Sequence, residues 1–284
     1  MQLTTILVVI VGLERLVAKS YSSLQLRVMS ALVLAPIAIA AVYFGELYFT
    51  VFMTAAGLAM IYEWCKTSFK NNGYLYTALI GASLLISIYL QNEKNLLTAL
   101  YPLYISASII LVVGLFSKRD NEWLGGFLGP LYIGIPVLCF LQLRTLEPDG
   151  LGLTILLFAI VWATDTGAYF AGRRIGGPKI AVSISPNKTW AGLIGGMICA
   201  AIVACVSTFY IDFSGFPVWL VALLGAAFAV LAQIGDFFES GWKRYFGIKD
   251  ASNMIPGHGG VLDRLDGVLF VAPALYSMAM AVRM

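Results

Sequence analysis

The chain reads as an all-α protein, a polytopic transmembrane helical bundle of about nine spans with its N-terminus in the cytoplasm. Three observations predict this. The 284 residues are 60% hydrophobic and only 12% charged, with a mean hydropathy of +0.87; a soluble domain carries about 25% charged residues. Apolar runs of about 20 residues, the length that crosses a bilayer as a helix, follow one another along the chain. The Lys and Arg residues fall mainly on alternate connections, as the positive-inside rule requires.

The candidate spans are roughly 28–44, 47–62, 74–90, 96–116, 124–143, 151–171, 190–211, 217–238 and 262–282. With the N-terminus inside, fifteen cations lie on inner segments, and only Lys94, Arg144 and Arg283 lie outside. One span more or fewer would spoil that bias. Residues 2–13 are apolar but too short to span, and no basic region precedes them. Residues 1–23 are therefore expected to be an interfacial or leader segment, 24–150 the N-terminal membrane helices, and 151–284 the helices that carry the chemistry, with two cytoplasmic loops, all in a single membrane domain. The net charge of +3 is too small to imply a nucleic-acid partner. Cys65, Cys139, Cys199 and Cys205 show no metal or redox spacing and read as small apolar residues.

The gaps 172–189 and 239–261 are long, and they hold most of the residues capable of chemistry. Between Asp236 and Asp266, a stretch of 31 residues contains five carboxylates, four cations and the only histidine. Charge at membrane depth is costly, so such a cluster marks a functional site. If the eighth span continues as a helix past Asp236, then Asp236, Glu239, Ser240 and Lys243 share one face. Asp263 and Asp266, three residues apart at the start of the ninth span, share another. A hard divalent cation such as Mg²⁺ between the two helices would relieve the repulsion, since the donors are oxygens. Ion pairing with Lys243, Arg244 and Arg264 is the alternative.

Between these helices runs Pro256-Gly-His258-Gly259-Gly260. Its glycines allow backbone N–H groups to approach an anion, and it leads into a helix N-terminus. Flanked by Lys243, Arg244, Lys249 and Arg264, it suits polyphosphate. His258 could carry a proton, bind phosphate, or hydrogen-bond the loop. In the other gap, Asp165 lies within the sixth span and implies a partner or a solvated cavity. Ser185-Pro-Asn-Lys188-Thr189 places hydroxyls and a cation at the mouth of the seventh span, as an N-cap, a phosphate dock or both. Glu63, Trp64 and Lys66 read as an interfacial anchor, and Tyr104, Trp123 and Tyr132 as belt or packing aromatics.

The run Ser240-x2-Lys243-Arg244 through Lys249-Asp250, Pro256-Gly-His-Gly-Gly and Asp263-Arg264-x-Asp266 resembles the signature of the phosphatidate cytidylyltransferase (CDP-diacylglycerol synthase) family. Asp165-Thr-Gly-Ala-Tyr-Phe-x-Gly and Ser185-Pro-Asn-Lys-Thr-Trp are similar to that family too. The resemblance covers about residues 28–284. The family usually reads Ser-Pro-Lys-Lys-Thr-x-Glu-Gly at the second segment, where this chain has Asn187 and Ala191.

The resemblance implies transfer of CMP from CTP to phosphatidic acid with release of pyrophosphate. It also implies a homodimer in the inner membrane, Mg²⁺, and a second ion such as K⁺. By motif position, Asp236, Asp263 and Asp266 would be metal ligands, and with Lys243 the catalytic group. Lys188, Ser185, Ser240, Arg244, Lys249, His258, Gly259, Gly260, Arg264 and Asp165 would bind substrate. A cation transporter using the intramembrane aspartates, and a CTP-dependent lipid or polyprenol kinase, are the competing readings.

Overall fold

The computed structural model describes residues 23–69, 73–93, 95–116, 122–213 and 215–283. The segment 1–22, expected as an interfacial or leader piece, lies outside them. The described chain forms helices α1 (Ser23–Phe44), α2 (Glu46–Ser68), α3 (Gly73–Glu93), α4 (Leu96–Phe116), α5 (Glu122–Gly129), α6 (Ile135–Thr145), α7 (Gly150–Arg174), α8 (Trp190–Ser207), α9 (Val218–Tyr245) and α10 (Leu262–Arg283). A π-helical turn, Pro130–Gly134, joins α5 to α6 into one continuous rod. The expected all-α class holds, with one addition: strands β1 (Lys179–Ala181) and β2 (Ser185–Thr189) form a small antiparallel hairpin.

Among the described residues, eight helical stretches are long and apolar enough to cross a membrane: α1 to α4, the α5–α6 rod, α7, α8 and α9. The chain is thus a multi-pass membrane protein. The expected ninth span forms as a 22-residue helix, α10, but is not among those eight. Its opening residues, Leu262-Asp-Arg-Leu-Asp266, leave it a shorter apolar stretch.

Two boundaries differ from expectation. The seventh span was expected to reach 211, but α8 ends at Ser207, where the hydroxyls of Ser207 and Thr208 bond back to the Ala204 and Cys205 carbonyls. The eighth was expected to end at 238, but α9 runs on to Tyr245. It stops at Gly247, whose φ of 71° is a left-handed C-terminal cap. The Gly247 N–H bonds the Arg244 carbonyl and the Ile248 N–H the Lys243 carbonyl, the Schellman arrangement.

The helices pack around a core that includes Phe49, Met60, Trp64, Leu138 and Phe140. At one end of the bundle, Arg144 binds the last carbonyls of α1, those of Val42 and Tyr43, at 2.8 and 3.1 Å, a cation at a helix C-terminus. At the other end, the start of α1, the ends of α2, α7 and α9, the hairpin, and the start of α10 converge. Cys65 and Cys139 are buried, and all four cysteines are free, as expected of apolar packing residues.

Candidate active site

The site is assembled where α9 crosses α10. A Cβ on Gly235 would lie 2.4 Å from the Asp266 carbonyl oxygen, so only glycine permits this approach. One residue on, Asp236 projects from α9. Its carboxylate pairs with Lys188 and accepts a hydrogen bond from Ser240 at 3.2 Å. Lys188 reaches it from β2 and also lies over the Phe237 ring, 4.6 Å from the centroid. The next residue, Thr189, caps α8 by accepting from the Gly192 N–H at 3.1 Å. The Ser185–Thr189 segment is therefore both a strand and a helix cap. Ser185 itself pairs with Ala181 beside the hairpin turn, whose Ile184 side chain reaches Gly241 of α9.

One turn further along α9, Lys243 bridges Glu239, at 3.3 Å, and Asp263 of α10, at 2.5 Å. The expected common face of α9 is realised, since Asp236, Glu239, Ser240 and Lys243 are linked along it. Asp263 also accepts from the Gly260 N–H at 2.9 Å. Asp266 accepts from the Gly267 N–H at 2.7 Å. Asp165 of α7, Asp236 and Asp266 lie near enough to repel one another, with Lys188 countering both Asp165 and Asp266. Asp236, Asp263 and Asp266 thus share one end of the bundle.

The loop between α9 and α10 carries a tight turn at Ile255–His258. The His258 N–H bonds the Ile255 carbonyl at 2.9 Å, and Gly257 has φ 76° after a proline, the pattern of a type II turn. Arg264 folds back on the loop and donates to the His258 carbonyl through Nε (3.0 Å) and Nη2 (2.6 Å). Arg244 is exposed at the end of α9 and Lys249 in the loop beyond it. Neither is drawn into the carboxylate pairs, so both remain at the solvent margin.

Sequence reasoning misjudged Glu63. It is fully buried rather than interfacial. Its carboxylate receives the backbone N–H groups of Val261 (3.0 Å) and Leu262 (2.8 Å) and the Ser252 hydroxyl. It caps α10 from another helix and fixes both ends of the glycine-rich segment. Trp64 is likewise buried. It stacks on Trp242 of α9 at 4.2 Å and donates Nε1–H to the Gly125 carbonyl at 2.8 Å. Tyr132, set in the π-turn, packs on Phe238 and Trp64 behind the site, so its packing role was correctly expected. A carboxylate inside an otherwise apolar run was the available signal for Glu63; its partners, some 200 residues away, were not visible.

Can the site hold a metal? Among the described residues, no three acidic, histidine or cysteine side chains are gathered as a ready ligand cluster. The donor set is nevertheless oxygen-only. Glu239 has one buried carboxylate oxygen without a hydrogen-bond partner among the described residues. Five carboxylates (Asp165, Asp236, Glu239, Asp263, Asp266) meet three nearby cations (Lys188, Lys243, Arg264). With all five ionised, the negative excess would suit a hard divalent ion.

Fold and site together define a membrane-embedded helical protein with a charged site at one end, built from carboxylates, lysines and a glycine-rich loop. Residues 25–282 match the model of the Cytidylyltransferase family, and the chain belongs to that family. It is 40% identical over 257 residues to a phosphatidate cytidylyltransferase of Brucella suis biovar 1 (strain 1330), covering 90% of this chain and 93% of that protein. A Staphylococcus haemolyticus (strain JCSC1435) protein of the same name is 46% identical over 144 residues, 51% of this chain and 54% of its own. One from Staphylococcus epidermidis (strain ATCC 35984) is 37% identical over 203 residues, 69% of this chain and 76% of its own.

Proposed function

We propose that this chain transfers CMP from CTP to phosphatidic acid, giving CDP-diacylglycerol and pyrophosphate for phospholipid synthesis. The observation that carries the proposal is the paired arrangement Lys188–Asp236 and Lys243–Asp263 across the α9–α10 crossing, beside a glycine-rich loop. Phosphoryl transfer between two anions needs charge neutralisation and positioning more than covalent help.

In this reading Lys188 and Lys243 contact phosphate oxygens once nucleotide arrives. Each already sits beside a carboxylate that would hold its ammonium in place. Arg264, Arg244 and Lys249 attract the triphosphate and steady the departing pyrophosphate. Gly259 and Gly260, whose N–H groups bond the Ile255 carbonyl and the Asp263 carboxylate, let the loop backbone come close to the substrate, and His258, Ser240, Asp165 and Ser185 complete its surroundings. Asp236, Asp263 and Asp266 would hold Mg²⁺, and a second ion such as K⁺ would share the acidic cluster. Bound there, the metal supplies charge neutralisation for the attacking and leaving oxygens.

In this reading α10 crosses as a ninth span, and the start of α1 then lies on the same side as the site, the cytoplasmic face of the inner membrane. Supporting this, the start of α1 meets the loop before α10, and the cations gather on that side. Lipid reaches the site from the adjacent leaflet. The protein works as a homodimer, and residues 24–150 and 151–284 act as one membrane domain.

The test uses purified protein with labelled CTP, phosphatidate and Mg²⁺. CDP-diacylglycerol should form only when all three are present, and EDTA should abolish it. Asp263→Asn should lower turnover by orders of magnitude in a folded protein. Normal activity of that variant would remove Asp263 from its assigned role. Phosphorylated lipid and CDP as products would favour a kinase instead.

A further inference from the structure

The first membrane helix reaches into the glycine-rich loop, and its contacts fix the chemistry of the single histidine. Arg27 Nε donates to the Gly257 carbonyl at 2.9 Å. Ser30 Oγ lies 3.0 Å from the Pro256 carbonyl, 3.1 Å from the Arg27 carbonyl and 2.8 Å from His258 Nδ1. Gly257 is confined by this contact, because a Cβ there would come within 2.9 Å of the Arg27 nitrogen.

A serine hydroxyl has one hydrogen and two lone pairs. Two of the three neighbours of Ser30 Oγ are carbonyl oxygens, which can only accept. Were the hydroxyl to donate to Nδ1, its lone pairs would face both carbonyls with no proton between. Were it to donate to a carbonyl, an oxygen lone pair would remain for Nδ1–H. Only the second arrangement leaves the ring contact and a carbonyl contact both attractive.

We propose that Ser30 is a positioning residue that holds His258 in its Nδ1–H tautomer, so that Nε2 is a hydrogen-bond acceptor for an O–H group of a substrate. The second ring nitrogen of a histidine takes whichever state the first leaves to it. An acceptor in a loop flanked by cations has a distinct use. Arginine and lysine side chains can only donate, so a singly protonated phosphate or a ribose hydroxyl would find its acceptor in Nε2. The charged groups facing the ring are Arg27 from α1 and Arg264 from α10. Partial burial, then these two cations, disfavour a second proton on the imidazole and outweigh the Pro256 carbonyl, which favours it, so the His258 pKa lies below its usual value.

The link to substrate rests on the proposed CMP transfer; the tautomer does not. His258 is the only histidine in the chain, so a ¹⁵N-histidine NMR spectrum of the full-length protein, purified without a histidine tag, reports on this ring alone. Above the ring's pKa, a protonated Nδ1 and bare Nε2 are expected. A spectrum dominated by the Nε2–H form overturns the proposal, whether or not the protein makes CDP-diacylglycerol.

Ser30→Ala should release the ring into a tautomer mixture, and Ser30→Thr should keep it fixed. In steady-state assays Ser30→Ala should raise KM for one substrate about five-fold, the worth of one neutral hydrogen bond, with Ser30→Thr restoring it. A rise for phosphatidate assigns the O–H to the lipid phosphate. A rise for CTP, absent with dCTP, assigns it to the ribose 2′-hydroxyl. If neither KM moves while the tautomer does, the proposed role in substrate binding is wrong.

Discussion

The carboxylate of Glu63, on α2, accepts the backbone N–H of Leu262, the first residue of α10, at 2.8 Å. It also holds Val261 and Ser252, so one buried side chain from the N-terminal half sets where Asp263 begins its helix. Cap and charge act together, since an anion at a helix N-terminus satisfies free N–H groups and meets the positive end of the dipole.

Replacing Glu63 should therefore injure site and fold alike. Glu63→Ala leaves buried N–H groups unpaired, at about 1–3 kcal/mol each. Thermal unfolding in detergent should show a clearly lowered midpoint, and the surviving folded protein should turn over more slowly. Glu63→Gln keeps one acceptor oxygen and should fall between the two.

Gly235→Ala tests the helix crossing. Its Cβ would meet the Asp266 carbonyl at 2.4 Å, so α9 and α10 must move apart. Overpacking of this kind costs about 1–3 kcal/mol. Activity should drop more than stability does, because the carboxylates lie at the point of separation. Wild-type kinetics in this variant would show that the close approach is not needed.

Lys243 joins α9 to α10 through Glu239 and Asp263. Lys243→Met should leave the buried Glu239 and the part-buried Asp263 without their cation. Breaking a buried pair from one side costs about 3–5 kcal/mol. Adding Asp263→Asn should recover part of the stability but none of the turnover, which a double-mutant cycle would measure.

The pH dependence of His258 follows from its surroundings. Partial burial, Arg264 and Arg27, in that order, hold its pKa below the usual value, about 6.5. The unfolded chain therefore takes up this proton first as pH falls, so the His258 contribution to stability is lost below about pH 6.5. Arg27→Gln removes one opposing charge, and the NMR titration midpoint should move up. A midpoint that stays or falls would contradict the assigned cause.

Much of the site was legible because its parts are close in sequence. Asp236, Glu239, Ser240 and Lys243 fall on one face at helical spacing, and Pro256-Gly257 carries its own turn chemistry. Glu63, Trp64, Arg27 and Ser30 were misjudged or passed over because their partners lie far along the chain.

By itself the sequence determined that the chain is a bundle of membrane helices with its charge gathered at the C-terminal loops. Apolar length and periodicity are local properties that water and lipid read directly. Only the tertiary structure decided which carboxylate meets which lysine, and that α1 and α2 close over the loop before α10. Such contacts depend on how helix surfaces approach one another, and that is set by side-chain volumes on every neighbouring helix at once.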